Sequence, residues 1–421
     1  MPCATRGATS RRLPSPSSTA SVNRPSSPLH KRHGQTREVT FYDRPEHAEL
    51  RRQVARFVER EVEPNAAAWD EAGFVPREVL RRMGALGWLG LTVPAADGGA
   101  GADRVTNVVF QEALARCTSG GFVVTVLVHT DMAGPHLVQA GSDAQKRRWL
   151  PKMLSGELIS AIAVTEADAG SDVASIRTRA VRDGDHYVLD GAKMFITNGV
   201  HAGLVFVAAR TDPHAKGSRG ISILAVERGT PGFRVGRALK KQGWLASDTA
   251  ELVFENCRVP VANRLGEENA GFYAIMRNFQ TERIALAAMA VGHCQTALDL
   301  TLRYVHARKA FGAALWDKQV IRQRLALLAA KTAAARTFLY HCAWLMDQGR
   351  DAVREVSMLK ALTGELVNEV VYTCQQFHGG FGYMREAAIE RLVRDARILA
   401  IGGGATEVML EEVAKRLGEA D

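Results

Sequence analysis

The chain has 421 residues, of which 24% are charged and 46% hydrophobic, and its formal net charge is +9. This is the composition of an ordinary globular protein that is long enough for two or three domains. No apolar run approaches the roughly 18 residues that a membrane helix needs, so we expect no membrane association.

Most of the net charge lies in the first 37 residues, which contain seven Lys or Arg and no Asp or Glu. The remaining chain has 47 basic and 45 acidic residues, so we expect no nucleic-acid partner. Residues 1–40 are rich in Ser, Pro and Arg, which predicts a disordered leader. Its composition is similar to a mitochondrial transit peptide, but we favour an upstream start codon in a bacterial gene. The predicted location is the cytoplasm, or the mitochondrial matrix if the leader is a transit peptide.

Residues 41–160 are predicted to form an N-terminal helical domain. Apolar residues at near-helical spacing predict a helix over 47–62, and an early proline predicts another over 76–83. The segment TVPAADGGAGAD, residues 92–103, is predicted to be a glycine-rich loop.

Residues 161–268 contain short β-branched and aromatic runs such as LVFVAAR and GISILAVE, separated by Gly, Asn and Asp. This pattern predicts a central all-β domain. Ala- and Leu-rich helical patterns return in residues 269–421, over 271–308, 319–348, 353–377 and after 405. The fold class is therefore α+β, without a Rossmann repeat. Six scattered cysteines without CxxC spacing predict neither a metal site nor a disulfide framework, and they favour a reducing compartment.

Two segments of the β region are the most informative, AVTEADAGSDVASIRTRA at 163–180 and GAKMFITNG at 191–199. The first ends an apolar strand at Thr165 and continues into Gly170 and Ser171, where small residues let a ligand approach the main chain. The second is a short strand with Phe195 and Thr197 before an Asn-Gly turn. Taken singly, such strand residues are most often packing residues.

Four later segments follow in order: KKQGWLASDTAELVFENCRVP at 240–260, ARKAFG at 307–312, QQFHGGFGYM at 375–384 and RLVRDARILAIGGGATE at 391–407. Together the six segments resemble the acyl-CoA dehydrogenase family over nearly all of the chain after the leader. The pattern is most similar to long-chain and isovaleryl-type members. The resemblance implies an N-terminal all-α domain, a central β-barrel domain and a C-terminal four-helix bundle.

The resemblance also implies FAD as the cofactor, with a site completed across a dimer interface. Arg308 lies in a motif that serves the neighbouring subunit's cofactor in this family, and a guanidinium suits a pyrophosphate because it donates two parallel hydrogen bonds. The implied cofactor contacts are Val164, Thr165, Phe195 and Thr197 at the ring, Gly170 and Ser171 toward the pyrophosphate, Arg308, Phe311, Gln319, Gln376 and Gly380 at the nucleotide half, and Ala405 and Glu407 in the last motif. Ser171 is also an implied substrate contact.

The general base is the point at which this chain departs from most of the family. Most members carry a glutamate in a Tyr-Glu-Gly-Thr motif, whereas residues 402–405 read GGGA, with Gly403 where the glutamate would be. The apolar stripe of the helix predicted over 271–308 is interrupted by Glu282 and Arg283, and a charge on a buried face is costly unless it is paired or functional. QTERIALA at 280–287 resembles the relocated glutamate site of long-chain and isovaleryl-type members. We predict that Glu282 is the base and that Arg283 helps to position the substrate.

The implied activity is α,β-dehydrogenation of a saturated acyl-CoA to the trans-2-enoyl-CoA. Glu282 would remove the α-proton, the Gly403 N–H would help to hold the thioester oxygen, and a hydride would pass from Cβ to the flavin. The implied partners are acyl-CoA, an electron-transferring flavoprotein and further copies of the chain in a dimer of dimers. Two alternatives stay open: an oxygen-using oxidase or monooxygenase, and a non-catalytic DNA-binding member of the fold, which the near-neutral body of the chain disfavours.

Overall fold

A computed structural model of the protein describes residues 42–418, apart from residue 216. The predicted leader, residues 1–40, lies outside the described residues. The N-terminal region contains seven α-helices: α1 Pro45–Phe57, α2 Ala66–Ala72, α3 Arg77–Ala85, α4 Arg104–Leu114, α5 Gly120–Leu127, α6 Gly134–Ala140 and α7 Asp143–Leu154. Side-chain caps fix several starts, for example Ser142 and Gln145 in a capping box at α7.

Two helix predictions in this region differ from the structure in their bounds. The helix predicted over 47–62 begins at Pro45 and, from Val58 to Val62, continues as a π-helical turn. The helix predicted over 76–83 begins at Arg77, because Pro76 has an extended backbone and acts as the N-cap. A second π-helical turn, Val128–Ala133, joins α5 to α6.

The central domain is an eight-stranded sheet, as the alternation of apolar runs and turns predicted. Its strands are β1 Ser160–Ala163, β2 Arg179–Asp183, β3 His186–Thr197, β4 Leu204–Arg210, β5 Ile221–Glu227, β6 Phe233–Ala238, β7 Thr249–Pro260 and β8 Arg264–Leu265. The hydrogen-bonded order is β6-β7-β3-β2-β4-β5-β8, and β1 pairs in parallel with β4. The sheet curls, because β5 and β7 contact each other although three strands separate them in that order.

Strand β4 explains why this domain reads as continuous apolar runs. Its residues Val205, Val207 and Ala209 point into the core enclosed by the curled sheet. The alternate residues Leu204 and Phe206 pack on the other side, against helices α6, α7 and α8. A strand that is buried on both faces has no polar alternation to show.

The C-terminal region is a helical bundle built on α8 Gly271–Ala307, α9 Gln319–Asp347 and α10 Val353–His378, with α11 Ala388–Ala396 and α12 Thr406–Ala414 packed on α10. A two-stranded hairpin, β9 Lys309–Ala310 and β10 Ala313–Ala314, joins α8 to α9. The long helices match the predicted ranges to within one residue, whereas α11 was not predicted as a separate helix. In the described part of the chain, no helix is long and apolar enough to cross a membrane.

Asp395 of α11 ties the three regions together. Its carboxylate accepts hydrogen bonds from the Gly120 N–H at 2.9 Å and from the Trp244 N–H at 2.5 Å. Gly120 begins α5, and Trp244 lies between β6 and β7. Burial raises the pKa of Asp395 to about 7, although both hydrogen bonds oppose the rise.

Candidate functional site

The two informative β segments lie side by side. The Met194 N–H donates to the Thr165 carbonyl at 2.9 Å, and this bond joins the end of the first segment to the second. Lys193, which is fully buried, donates to the Val164 carbonyl at 2.9 Å and to Glu166 Oε1 at 2.8 Å. The structure therefore brings Val164 and Thr165 beside the strand that carries Phe195 and Thr197.

Phe195 has the most unusual backbone of this group. Its φ is +62°, in the left-handed region that a bulky side chain rarely adopts, and its side chain is 65% exposed. The cause is a register shift between Lys193 and Ile196 in the ladder of β3 with β7. Strain of this kind is concentrated at binding and catalytic sites, and here it turns an aromatic ring away from the core.

The loop that follows Thr165 is organised by Glu166. The Glu166 carboxylate accepts the Arg177 N–H at 2.7 Å and the Thr178 N–H at 2.9 Å. Burial alone would raise the pKa of Glu166, but the Lys193 charge and these hydrogen bonds outweigh burial and lower the pKa. Gly170 and Ser171 lie exposed on this loop. A Cβ at Gly170 would meet no atom within 4 Å, so the packing of the chain does not require glycine there.

Glu282 and Gly403 are neighbours, although they are 121 positions apart in the sequence. A Cβ built on Gly403 would lie 3.1 Å from Glu282 Oε1 and 2.2 Å from Leu286 Cδ1. The position beside Gly403 is therefore occupied by Glu282, the predicted base, and by Leu286, one helical turn further along α8. The φ of +63° at Gly403 also favours glycine.

The Glu282 carboxylate is half-buried, and no hydrogen-bond or ion-pair partner is found for it among the described residues. Burial raises the pKa of Glu282, while the charges of Arg283 and Lys360 oppose the rise. The Gly403 N–H also has no acceptor among residues 42–418, residue 216 aside. A free carboxylate and a free N–H donor thus lie next to each other.

Arg283 lies close to the glycine segment, residues 402–404. Its Nε is buried without a hydrogen-bond partner and would be 3.5 Å from a Cβ at Gly404. Its guanidinium lies over the Phe279 ring, 5.4 Å from the centroid. Burial lowers the pKa of Arg283, but an arginine stays charged near neutral pH.

The predicted nucleotide-half residues lie elsewhere in the same chain. Arg308 follows the last turn of α8 and is 26 residues from Glu282, which is about 39 Å at 1.5 Å per residue. Tyr304 stacks on His378 with ring centroids 4.4 Å apart, so the ends of α8 and α10 meet. Exposed residues gather at this end of the bundle: Arg308, Phe311, Gln319, Gln376 and Gly380. One chain does not bring this group to Glu282. Ala405 and Glu407, by contrast, begin α12 close to Gly403.

Two buried lysines near the site were missed in the sequence. Lys193 holds the end of the first β segment, and Lys360 of α10 donates to the Leu399 carbonyl at 2.7 Å and to the Gly404 carbonyl at 3.0 Å. The signal was present, because Lys360 falls on the apolar stripe of α10 with Val356 and Val367. The same reasoning had identified Glu282.

Comparisons with known proteins agree with this geometry. Family models match residues 44–157 (acyl-CoA dehydrogenase, N-terminal domain), 161–257 (middle domain) and 269–418 (C-terminal domain). The chain is 40% identical to the mouse mitochondrial long-chain specific acyl-CoA dehydrogenase over 88% of this chain and 86% of that protein. It is 37% identical to the Pongo abelii mitochondrial isovaleryl-CoA dehydrogenase over 86% of both proteins.

Among solved structures, the acyl-CoA dehydrogenase from Geobacillus kaustophilus is 43% identical and superposes with a TM-score of 0.87, covering 90% of this chain and 99% of that one. Matches across all three domains, at this identity and coverage, leave one interpretation. The chain belongs to the acyl-CoA dehydrogenase family of FAD-binding flavoproteins, which are oxidoreductases acting on CH–CH groups.

Proposed function

We propose that the chain oxidises a saturated acyl-CoA thioester to its trans-2-enoyl-CoA, with Glu282 as the base that removes the α-proton. The observation that carries the proposal is the half-buried Glu282 carboxylate, unpaired among the described residues and 3.1 Å from the Cβ position of Gly403. An enclosed carboxylate without a partner destabilises a fold, so such residues are candidates for catalysis. Its raised pKa makes the carboxylate a stronger base.

The Gly403 N–H supplies the second element of the proposed reaction. When the α-proton leaves, negative charge develops on the thioester oxygen, and a preformed N–H donor stabilises that charge more than it stabilises the ground state. The Gly403 N–H is free to donate, since no acceptor is found for it in the described part of the chain. Arg283 adds a positive charge on the same side and helps to position the thioester.

The residues of the two β segments fit a flavin. Phe195 exposes a strained aromatic ring, and the open surface at Gly170 leaves room for a phosphate chain. In our proposal, the ring is held by Val164, Thr165, Phe195 and Thr197, the chain toward the pyrophosphate by Gly170 and Ser171, and the remaining contacts come from Ala405 and Glu407. Ser171 also contacts the substrate. FAD supplies the hydride acceptor for the hydrogen on Cβ.

A second copy of the chain would complete the site. The exposed group at the far end of the bundle, which contains Arg308 and Phe311, cannot reach the same cofactor as Glu282 within one chain, given the separation of about 39 Å. Phe311 is 97% exposed, which is unusual for a phenylalanine that nothing covers. We therefore propose a homo-oligomer, most simply a dimer of dimers. An electron-transferring flavoprotein is the proposed acceptor.

Anaerobic reduction of the bound flavin by a panel of acyl-CoA chain lengths tests this function. Glu282→Gln should keep its FAD, but the rate at which acyl-CoA bleaches the flavin should fall about 10²- to 10⁴-fold, the usual contribution of a positioned base. Glu411→Gln is the matched control, because Glu411 is an exposed carboxylate on α12. Bleaching by Glu282→Gln at the rate of the control would refute the assignment. Comparing reoxidation by air with reoxidation by an electron-transferring flavoprotein separates a dehydrogenase from an oxidase.

A further inference from the structure

A buried cation, the Lys360 ammonium, bridges the two ends of residues 400–403. Lys360 is 2% exposed, and its ammonium donates to the carbonyls of Leu399 and Gly404, at 2.7 and 3.0 Å. These two carbonyls flank residues 400–403. One side chain of α10 therefore links the two ends of the backbone segment that carries the Gly403 N–H.

The ammonium has no ion pair to justify its burial. In the described part of the chain, no carboxylate lies within ion-pair distance of Lys360 Nζ, so its known partners are the two carbonyls. A buried lysine without a counter-ion destabilises a protein by several kcal/mol on general grounds. A methionine would fill the same space without that cost, so stability does not explain the lysine.

Among the described residues, the other hydrogen bonds hold the start of the segment and do not involve Gly403. The Gly402 N–H donates to the Ile398 carbonyl at 2.7 Å, and this fixes the entry of the segment. Gly403 and Gly404 both have positive φ and no side chain that could anchor them. Beyond Gly402, the Gly404 carbonyl bond to Lys360 is the restraint nearest to Gly403.

We propose that Lys360 is a positioning residue of the reaction: by holding both ends of residues 400–403, it keeps the Gly403 N–H beside the Glu282 carboxylate. The inference rests on the proposed function, because it needs Glu282 as the base. The Lys360 ammonium bonds to two backbone carbonyls, and among the described residues it forms no ion pair, so in this proposal it acts through the backbone.

The lysine charge also gives the proposal a second test, the pH dependence of flavin reduction, which a purely structural role of Lys360 would not change. The charged groups that act on Glu282 are Arg283 and Lys360, and both lower its pKa. Arg283 is in turn influenced by Glu412 of α12 and by Arg416, which follows that helix. Burial lowers the pKa of Lys360 to about 8, so the side chain is mostly charged at neutral pH. Loss of that charge removes one of the two influences that hold Glu282 ionised.

The experiment compares Lys360→Met and Lys360→Arg with the wild-type holoenzyme in anaerobic flavin reduction as a function of pH. For Lys360→Met the limiting rate should fall by about 10²-fold, the effect of misplacing a reacting group by an ångström, with little change in the Kd for acyl-CoA. The acid limb of its pH profile should move to higher pH, because Glu282 loses a neighbouring positive charge that lowers its pKa. Lys360→Arg keeps the charge, so it should lose rate while the acid limb stays at its wild-type position. Lys146→Met is the control, since it removes a lysine charge that pairs with Asp97 in the N-terminal region.

Flavin content and thermal midpoint are measured for each variant. A wild-type rate and acid limb in Lys360→Met would overturn the inference, and so would a rate that falls only in proportion to lost FAD. If Lys360→Met does not fold, Lys360→Arg decides, because a wild-type rate in that variant would show that the two carbonyl bonds are dispensable. Glu282→Gln separates the two proposals. If acyl-CoA still bleaches the flavin of that variant, Glu282 is not the base. If Glu282→Gln is not bleached but Lys360→Met is reduced at the wild-type rate, only the role of Lys360 is refuted.

Discussion

The contact between Gly403 and α8 gives a prediction whose size follows from the structure. A Cβ at residue 403 would be 2.2 Å from Leu286 Cδ1, well inside van der Waals contact, and the backbone φ there is +63°. For Gly403→Ala we expect about 1–2 kcal/mol from the left-handed backbone and about 1–3 kcal/mol from overpacking, hence a loss of about 2–5 kcal/mol in the free energy of unfolding.

Gly402→Ala is the matched control. The Cβ of that variant would meet only Ile398 at 3.6 Å and beyond, in ordinary contact, and residue 402 is not among those with positive φ. Urea unfolding followed by far-UV circular dichroism compares the two variants directly. Leu286→Ala should recover the overpacking part of the cost when it is combined with Gly403→Ala, about 1–3 kcal/mol in a double-mutant cycle.

Activity should report the same contact. The new methyl group would lie 3.1 Å from Glu282 Oε1, so Gly403→Ala should displace the carboxylate and slow anaerobic flavin reduction, whereas Gly402→Ala should not. Equal stability and equal rates for the two alanine variants would refute the proposed packing of Glu282 and Leu286 against Gly403. The same clash predicts that a glutamate introduced at residue 403 restores little activity to Glu282→Gln while Leu286 is present.

Three further predictions concern other buried or strained groups. Lys193→Met should lower the ratio of flavin to protein absorbance, because the Val164 carbonyl loses its restraint, whereas Lys240→Met, which removes an exposed lysine of the same domain, should not. Phe195→Gly should relieve about 1 kcal/mol of backbone strain and so raise the free energy of unfolding of the apoprotein, while it weakens FAD binding. If the stability and the FAD affinity changed in the same direction, a functional origin of the strain would be contradicted. Asp395→Asn removes a carboxyl whose folded pKa is about 7 against an ordinary 3.8. Because the folded state retains this proton after the unfolded state has released it, the wild type should lose stability relative to the variant as pH rises from about 4 to about 7, and the difference should be constant above that range. Thermal midpoints across this pH range test the sign.

Much of the architecture followed from local patterns. The long helices of the bundle have apolar periodicity over many turns, so their bounds were predicted to within one residue. The boundaries in the N-terminal region were less well predicted, because π-helical turns such as Val58–Val62 keep a near-helical pattern while changing the backbone. The short helix α11 was missed because most of its nine residues lie inside the segment 391–407, which had been assigned as one motif.

The candidate site also has some features that local sequence patterns predicted and others that they did not. Glu282 was predicted as the base because a charge interrupted an apolar stripe, the usual glutamate was absent and QTERIALA resembled the relocated site. The glycines at 402–404 were visible as a departure from the motif. The sequence did not show that Leu286 fills the position next to Gly403 or that Lys360 binds the carbonyls on both sides of the glycine segment. Lys360 and Gly404 are 44 positions apart, and no local pattern encodes a hydrogen bond between α10 and a loop that follows another helix.

By itself, then, the sequence determined the order of the three regions, the two β segments and the position of Glu282 in the apolar stripe of its helix, because each depends on neighbours within a few residues. Only the tertiary structure decided which groups meet. It brought α8, α10 and the glycine segment together around Glu282, and it placed Arg308 about 39 Å from Glu282, at the other end of α8. Distances of this kind depend on how rigid helices pack, and packing is a property of the whole chain.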